Sequence, residues 1–166
     1  MSKFEVPYFG QLNLESLKEY YSTETKFNNI EIQLDLNFEN KAIESATMTA
    51  VKNILENIAK LDQQNKVYIN NDYNDEDGDT VRFYLEHHLE EVDKQELSTL
   101  IDFNNKIISP EEQLLAKLHL VRVGFYPDSD EIFAVFDYSL GGNFTNYLVV
   151  VNIDRGGELD YMTIES

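Results

Sequence analysis

The alternation of apolar and polar side chains over residues 30–39 constrains the fold more than any other feature of the sequence. The apolar members of the alternation are Ile30, Ile32, Leu34, Leu36 and Phe38. A period of two is typical of a β-strand with one buried face, so the residues between them, which include Asp35, are predicted to face solvent. Residues 17–25 are also strand-like and residues 26–29 favour a turn, which predicts a β-hairpin.

The period of the apolar pattern then changes. From Ile43 to Leu61, apolar residues recur every three or four positions, which predicts an amphipathic helix. A second helix is predicted to begin near Asp79, which is a suitable N-cap, and a weaker helical pattern follows it. A further helix is predicted to begin at Ser109, a preferred N-cap, with Pro110 at its first position.

The last third of the chain is rich in strand-forming residues. Residues 118–126, 132–138 and 147–153 are dense in Val, Ile, Leu and Phe and are predicted to be central strands buried on both faces. A final strand at residues 159–164 is expected at an edge of the sheet. Strands, then helices, then strands predict one α+β domain over residues 1–166: helices from the middle of the chain pack on an antiparallel sheet made of the N-terminal hairpin and a C-terminal meander.

The charge of the chain is strongly negative. There are 31 Asp and Glu residues against 13 Lys and Arg residues, which gives a formal net charge of -18. Such a surface repels nucleic acid and anionic lipid and attracts basic proteins or cations, so we expect neither a nucleic acid nor a membrane as partner. A high net charge also serves solubility alone. The densest acidic segment has one base, Arg82, and contains Asp72, Asp75, Glu76, Asp77, Asp79, Glu86, Glu90 and Glu91.

The chain has no cysteine, which excludes disulfides, thiolate nucleophiles and zinc–thiolate sites. Residues 1–7 lack the basic region and apolar stretch of a secretory signal. No apolar stretch approaches the ~20 residues of a membrane span. We therefore expect a cytoplasmic protein.

An acidic stretch at residues 70–79 suggests a calcium loop. If Gly78 is the glycine of an EF-hand, Asp75 and Asp77 fit two ligand positions, but tyrosines occupy the first and last ligand positions. An EF-hand is therefore rejected. An irregular cation site and a solvated acidic loop, with Asp79 capping the next helix, both remain open.

The histidines suggest a second kind of site. His87 and Glu91 are four positions apart and could supply two metal ligands, whereas His88 points about 100° away from His87 on a helix. His119 is the only other imidazole. A small-molecule or metal-binding domain, or an enzyme of unknown reaction using these histidines and carboxylates, is one hypothesis. The other hypothesis is structural and places His88 among apolar residues and His87 in solvent. We assign no catalytic residue, metal ligand or cofactor.

Two charged residues interrupt apolar strands. Arg122 lies between Val121 and Val123, and Asp137 interrupts the next predicted strand in the same manner. A buried charge without a partner is very costly, so we predict a structural cross-strand ion pair between Arg122 and Asp137. The alternative is that Arg122 receives a carboxylate or phosphate ligand, which its planar group suits.

Five segments of the chain resemble, in the same order, DUF2004, a family of uncharacterised bacterial proteins. They are residues 8–14, 84–88, 121–127, 136–139 and 164–166. The resemblance implies a bacterial origin and a place among small domains suspected as antitoxin or immunity partners. It implies no established activity, cofactor or catalytic residue.

The favoured hypothesis is a non-catalytic, immunity- or antitoxin-like domain that binds a basic partner through the eight acidic residues named above. No nucleophile motif indicates an enzyme, although the sequence leaves that question open. A further hypothesis is a ligand-sensing or scaffolding domain in which Tyr8, Phe9, Tyr20 and Tyr21 form an exposed contact patch. The oligomeric state is left open.

Overall fold

A computed structural model describes residues 3–166, which form eight strands and five helices. Met1 and Ser2 lie outside the described residues. They are the first two residues of the segment considered above as a secretory signal. Two antiparallel strands, β1 (Lys3–Val6) and β2 (Gly10–Asn13), form a hairpin separate from the main sheet. The apolar pattern of residues 3–13 does not predict this hairpin, because strands of four residues are too short to show a clear period.

The main sheet has six strands that lie side by side in chain order. They are β3 (Tyr20–Phe27), β4 (Ile30–Asn37), β5 (His119–Phe125), β6 (Ala134–Ser139), β7 (Leu148–Ile153) and β8 (Leu159–Glu165). Each strand predicted from the sequence is present, and β8 lies at an edge as expected. The other edge is β3, which begins three residues later than the predicted strand.

The five helices all lie between β4 and β5 in the chain. They are α1 (Ser45–Glu56), α2 (Ile58–Asn74), α3 (Thr80–Glu91), α4 (Lys94–Leu97) and α5 (Pro110–Lys117). The predicted α+β class is therefore confirmed. The expectation of an entirely antiparallel sheet is wrong at one junction, because β4 and β5 are parallel, with Leu34 opposite Val123. The helical crossover between them returns the chain to the same end of the sheet, which a short hairpin cannot do.

The β3–β4 hairpin closes with a two-residue turn. Asn28 and Asn29 have φ of 51° and 65°, the left-handed conformation that a type I′ turn requires and that Asn tolerates. Ile30, predicted to be buried, is exposed. β4 pairs with β5 only from Gln33 onward, so the hairpin tip extends beyond the neighbouring strand.

The predicted helix over residues 43–61 is two helices. Asn57 separates α1 from α2, with a non-helical φ of -124°, and its side-chain amide donates to the Asn53 carbonyl at 2.7 Å. The second helix continues to Asn74. The interpretation of residues 70–79 as a loop is therefore wrong for residues 70–74, which form the C-terminal end of α2.

The helix predicted at Ser109 forms as expected. The Ser109 hydroxyl accepts a hydrogen bond from the Glu112 amide at 3.1 Å, and Pro110 occupies the first turn of α5. Ser109 Oγ also lies 3.3 Å from Glu112 Oε1, so the cap and the third helical residue support each other.

The two faces of the main sheet differ in chemistry. One face, with Leu34, Val123 and Phe136, packs into the same apolar core as helix residues such as Met48 and Leu85. The other face carries Asp35, Arg122 and Asp137 on its central strands. Among the described residues, no helix is long and apolar enough to cross a membrane.

Candidate functional site

The outward side of α3 carries a large aromatic side chain among carboxylates. Phe83 is 60% exposed. Glu86, His87 and Glu90 follow it at three, four and seven positions along the helix, which places all four side chains on one side of α3. The buried residues of α3, which include Tyr84 and His88, lie on the opposite side.

The aromatic rings on this side form a contiguous group. The Phe83 ring stacks on the His87 imidazole, with centroids 6.1 Å apart and planes at 17°. Tyr147, which immediately precedes β7 and is exposed, makes an edge contact with His87 at 4.9 Å. The Tyr84 phenol donates to the Tyr147 carbonyl oxygen at 2.8 Å, which ties that backbone to α3. We call Phe83, Glu86, His87, Glu90 and Tyr147 the α3 surface.

The eight predicted acidic residues fall into two groups. Glu86, Glu90 and Glu91 lie on α3 and are exposed. The others lie at the end of α2 and in the connection to α3: Asp72, Asp75, Glu76, Asp77 and Asp79. Seven of the eight are exposed, and Asp72 is half-buried.

Asp72 caps α3. Its Oδ2 accepts a hydrogen bond from the Val81 amide at 2.8 Å. The predicted start of this helix is confirmed, because Asp79 stands at the N-cap position, but the Asp79 side chain makes no capping hydrogen bond. Because α2 extends to Asn74, its last turn brings Asp72 against the first turn of α3, where Asp72 Oδ2 is occupied by the cap.

Arg82, the one base of the acidic segment, is also occupied. Its Nη2 donates to the carbonyl oxygens of Tyr73 and Asp75 at 2.8 and 3.0 Å, at the C-terminal end of α2. A cation at a helix C-terminus is favoured by the helix dipole. The guanidinium therefore does not pair with the exposed carboxylates of α3.

The three histidines lie in different environments. His88 is buried, with Nδ1 2.6 Å from the Tyr84 carbonyl oxygen, and its Nε2 has no hydrogen-bond partner among residues 3–166. His87 is half-buried, and His119 places Nδ1 2.9 Å from the Lys117 carbonyl oxygen. Within the described residues, no group of three His, Cys, Asp or Glu side chains is placed to hold a metal ion.

His88 is expected to make the fold less stable in mild acid. Burial lowers the pKa of His88 below its usual 6.5, and the nearby His87 adds to the effect. As the pH falls below about 6.5, His88 binds a proton in the unfolded chain before it does so in the folded chain. The free energy of unfolding therefore falls as the pH falls. His88→Phe should reduce this pH dependence, as denaturant unfolding at about pH 7.5 and about pH 5.5 would show.

The matched control for this prediction is His119→Gln, which removes an imidazole that is half-exposed. That variant should keep the pH dependence of the original chain. Equal pH dependence in His88→Phe and the original chain would contradict the assignment.

Arg122 contacts two carboxylates on the outer face of the sheet. Its Nη1 donates to Asp137 Oδ2 at 3.1 Å, which is the predicted pair. Its closer partner is Asp35, which accepts from Nε and Nη2 at 2.7 Å each in a bidentate arrangement. The Tyr126 hydroxyl accepts from Nη2 at 2.9 Å. Asp35 is 0% exposed, so the expectation that it faces solvent is wrong.

Burial and these contacts together shift the pKa values of Asp137 and Arg122. Burial raises the pKa of Asp137, while the charge and hydrogen bond of Arg122 lower it, and the net direction is upward. Burial lowers the pKa of Arg122, but its hydrogen bonds to Asp35 and Tyr126 and the charges of Asp35 and Asp137 raise it further than burial lowers it. The guanidinium of Arg122 is already paired with two carboxylates, so it is not free to receive an anionic ligand.

Two of the clefts that lie away from the α3 surface have aromatic side chains in their walls. One, of about 540 Å³, lies between α2 and α5, with Tyr138 at its wall. The Tyr138 hydroxyl donates to Asp62 Oδ1 at 2.7 Å, and Lys66 Nζ lies 3.3 Å from Asp62 Oδ2, so these polar groups already have partners. The second cleft, of about 510 Å³, is lined by the four aromatic residues of the predicted contact patch, by Lys18, and by residues 11–13 and 22–23. We call it the aromatic cleft.

Comparison with protein-family models, characterised proteins and solved structures finds no match to this chain. The resemblance to DUF2004 therefore stays a prediction. Sequence reasoning missed Phe83 and Tyr147 as surface residues. The position of Phe83 outside the apolar stripe of α3 is a sequence signal that it is exposed. No local sequence signal indicates that Tyr147 lies against His87.

Proposed function

We propose that this protein is a non-catalytic binding domain that recognises a basic partner protein through the α3 surface. Under this proposal it acts as an immunity- or antitoxin-like inhibitor, covering a basic functional surface of its partner. The observation that carries the proposal is the exposure of Phe83, which is 60% exposed on the side of α3 that also carries Glu86 and Glu90.

The aromatic group supplies the anchor. Interface residues that contribute most to affinity are often large aromatics surrounded by polar residues that exclude water. Phe83 and Tyr147 are both exposed, and His87 lies between their rings. Because the Tyr84–Tyr147 hydrogen bond joins α3 to the β7 end of the sheet, this surface is held on two elements before any partner arrives.

The carboxylates supply the choice of partner. Glu86 and Glu90 follow Phe83 on the same side of α3, and the acidic α2–α3 connection before it adds Asp75, Glu76, Asp77 and Asp79 to the same segment. Arg82 is directed to the end of α2 and leaves this charge in place. A surface of this sign accelerates the approach of a basic protein and disfavours acidic ones.

A quantitative pull-down from cells of the source organism tests the proposal with two variants. Phe83→Ala removes the anchor, and Glu86→Gln with Glu90→Gln removes two charges. For a purified basic partner, Phe83→Ala should raise Kd by at least about tenfold, since an aromatic anchor contributes about 2 kcal/mol or more. The charge variant should slow association and reduce the dependence of Kd on salt.

Two control variants make changes of the same kind elsewhere on the surface. Val67→Ala shortens an exposed side chain on α2, and Asp130→Asn with Glu131→Gln removes two exposed charges in the β5–β6 connection. Neither should change binding by more than about twofold. A partner that is acidic, or that binds the α3 and control variants alike, would contradict the proposal.

A further inference from the structure

The aromatic cleft and the free edge of the sheet share residues. The cleft lies between the β1–β2 hairpin and the beginning of β3, and residues 20–23 belong both to its lining and to β3. β3 is an outer strand of the sheet and, among the described residues, pairs only with β4. A molecule lying in the cleft would therefore meet an unpaired strand edge, which is a template for another strand.

The register of the β3–β4 hairpin shows which backbone groups are free. Phe27 is opposite Ile30 across the two-residue turn, so that pair exchanges hydrogen bonds and every second pair does the same. The Phe38 amide donates to the Glu19 carbonyl oxygen at 2.9 Å, in agreement with this alternation. The N–H and C=O groups of Tyr20, Ser22, Glu24 and Lys26 consequently point away from β4.

The tip of the β1–β2 hairpin holds one wall of the cleft in an unfavourable conformation. Tyr8 has φ of 71°, and the Phe9 amide donates to the Val6 carbonyl oxygen at 3.1 Å, which closes a turn with Pro7 and Tyr8 at its centre. Proline followed by a residue with positive φ is the pattern of a type II turn, whose third position favours glycine. A bulky residue there is strained, and Tyr8 is nevertheless 53% exposed.

Two carboxylates lie farther along the same edge. Glu24 and Glu31 lie diagonally across the hairpin, because Glu24 is opposite Gln33 and Glu31 is two residues before Gln33. A hydrogen bond to Glu31, and then the Glu31 charge, raise the pKa of Glu24. Lys26 is opposite Glu31 across the hairpin. On β3 it lies two positions after Glu24, so its backbone N–H and C=O groups point outward like those of Glu24. A basic side chain placed beside Glu24 would relieve the repulsion between the two carboxylates.

We propose that an extended peptide segment of a partner protein adds to β3 as a seventh strand, with an apolar side chain in the aromatic cleft and a basic side chain beside Glu24 and Glu31. Main-chain pairing provides affinity in this mode, and pockets for alternate side chains provide specificity. Tyr20, Ser22 and Glu24 share one face of β3, so the apolar and basic residues of the peptide lie two or four positions apart. This site is separate from the α3 surface and does not depend on it.

Selection of random twelve-residue peptides displayed on phage against the full chain tests the proposal. The selected peptides should share an apolar or aromatic residue and a Lys or Arg at an even spacing. Binding of a synthetic selected peptide should slow hydrogen exchange at the Ser22 and Glu24 amides of the unmodified chain. This readout does not depend on the folding of any variant.

Three variants locate the bound peptide. Ser22→Pro removes an outward N–H while leaving the β3–β4 hydrogen bonds intact, and Tyr20→Ala opens the cleft. Each should lower peptide affinity by at least about tenfold. Tyr161→Ala is the matched control, because Tyr161 lies on the opposite edge strand, β8, and is 43% exposed against 51% for Tyr20. This variant should leave peptide affinity unchanged.

Tyr8→Gly separates strain from binding. It should leave the midpoint of thermal unfolding unchanged or higher, since glycine suits a positive φ, while lowering peptide affinity by at least about tenfold.

Several results would overturn this proposal. These are the failure to select any peptide, exchange protection on β8 in place of β3, and equal affinity for the original chain and Ser22→Pro or Tyr20→Ala. A concentration-dependent dimer that Ser22→Pro returns to monomer would assign the edge to a second copy instead. Phe83→Ala should leave peptide affinity unchanged, so failure here is distinguishable from failure of the α3 proposal.

Discussion

Arg122→Met is expected to destabilise the folded chain by about 3–5 kcal/mol at neutral pH. The change removes the hydrogen-bonded cation from Asp35, which is 0% exposed, and from Asp137, which is 3% exposed. Two buried carboxylates then face each other without a counter-charge. Methionine fills most of the volume of the arginine stem, so the expected loss reflects charge rather than an empty cavity. Denaturant unfolding at pH 7 measures the effect.

Three comparisons distinguish this cause from a packing defect. The loss should shrink at about pH 5, because protonation removes the uncompensated carboxylate charge. Adding Asp35→Asn and Asp137→Asn to Arg122→Met should recover most of the stability. Arg155→Met, which removes an exposed arginine whose Nη2 donates to Thr47 Oγ1 at 3.1 Å, should cost less than about 1 kcal/mol. A loss from Arg122→Met that stays the same at both pH values would contradict the account.

Gly124→Ala is expected to destabilise the chain by about 1–3 kcal/mol, although alanine is normally better than glycine within a strand. A Cβ at Gly124 would overlap the Arg122 guanidinium, with Cζ 2.7 Å away, and would approach Asp35 Oδ2 to 3.1 Å. The guanidinium lies across the backbone of Gly124, so any side chain there displaces it from Asp35. This close approach is the physical reason for a glycine at a central position of the sheet.

The two substitutions should not be additive. Once Arg122 is methionine, the Cβ of Gly124→Ala no longer displaces a paired cation, so the second substitution should cost less than about 0.5 kcal/mol. The measurement is a double-mutant cycle of unfolding free energies for the two single variants and the double variant. Additive effects would show that Gly124 is required for some reason other than the Arg122–Asp35 contact.

The same ion pair shows how far the sequence alone can be interpreted. Arg122 and Asp137 each interrupt an apolar strand, so the cost of burying one without the other predicts their contact. Asp35 is the closer partner, yet its alternation with apolar residues indicates a solvent-facing position. It is buried because β5 lies beside β4, and that parallel contact joins residues 87 positions apart that no local pattern relates.

Local patterns predict elements better than they predict the contacts between them. The Ser109–Pro110 cap and the strand at residues 30–37 follow from sequence rules that act within a few residues. The cap of α3 does not, because Asp72 reaches Val81 only when α2 continues past the predicted end of its helix. The α3 surface is similar: the acidic residues are visible in the sequence, but the contact of Tyr147 with His87 depends on how α3 meets β7.

A photo-crosslinking measurement in cells of the source organism tests the central claim most directly. Phe83 is replaced by benzoylphenylalanine, and Tyr161, exposed on β8, is replaced in a parallel control. We predict one discrete adduct from position 83 to a basic protein, which is lost when Glu86 and Glu90 are changed to Gln. No adduct from position 83, or the same adducts from both positions, would contradict the claim that the α3 surface binds a basic partner.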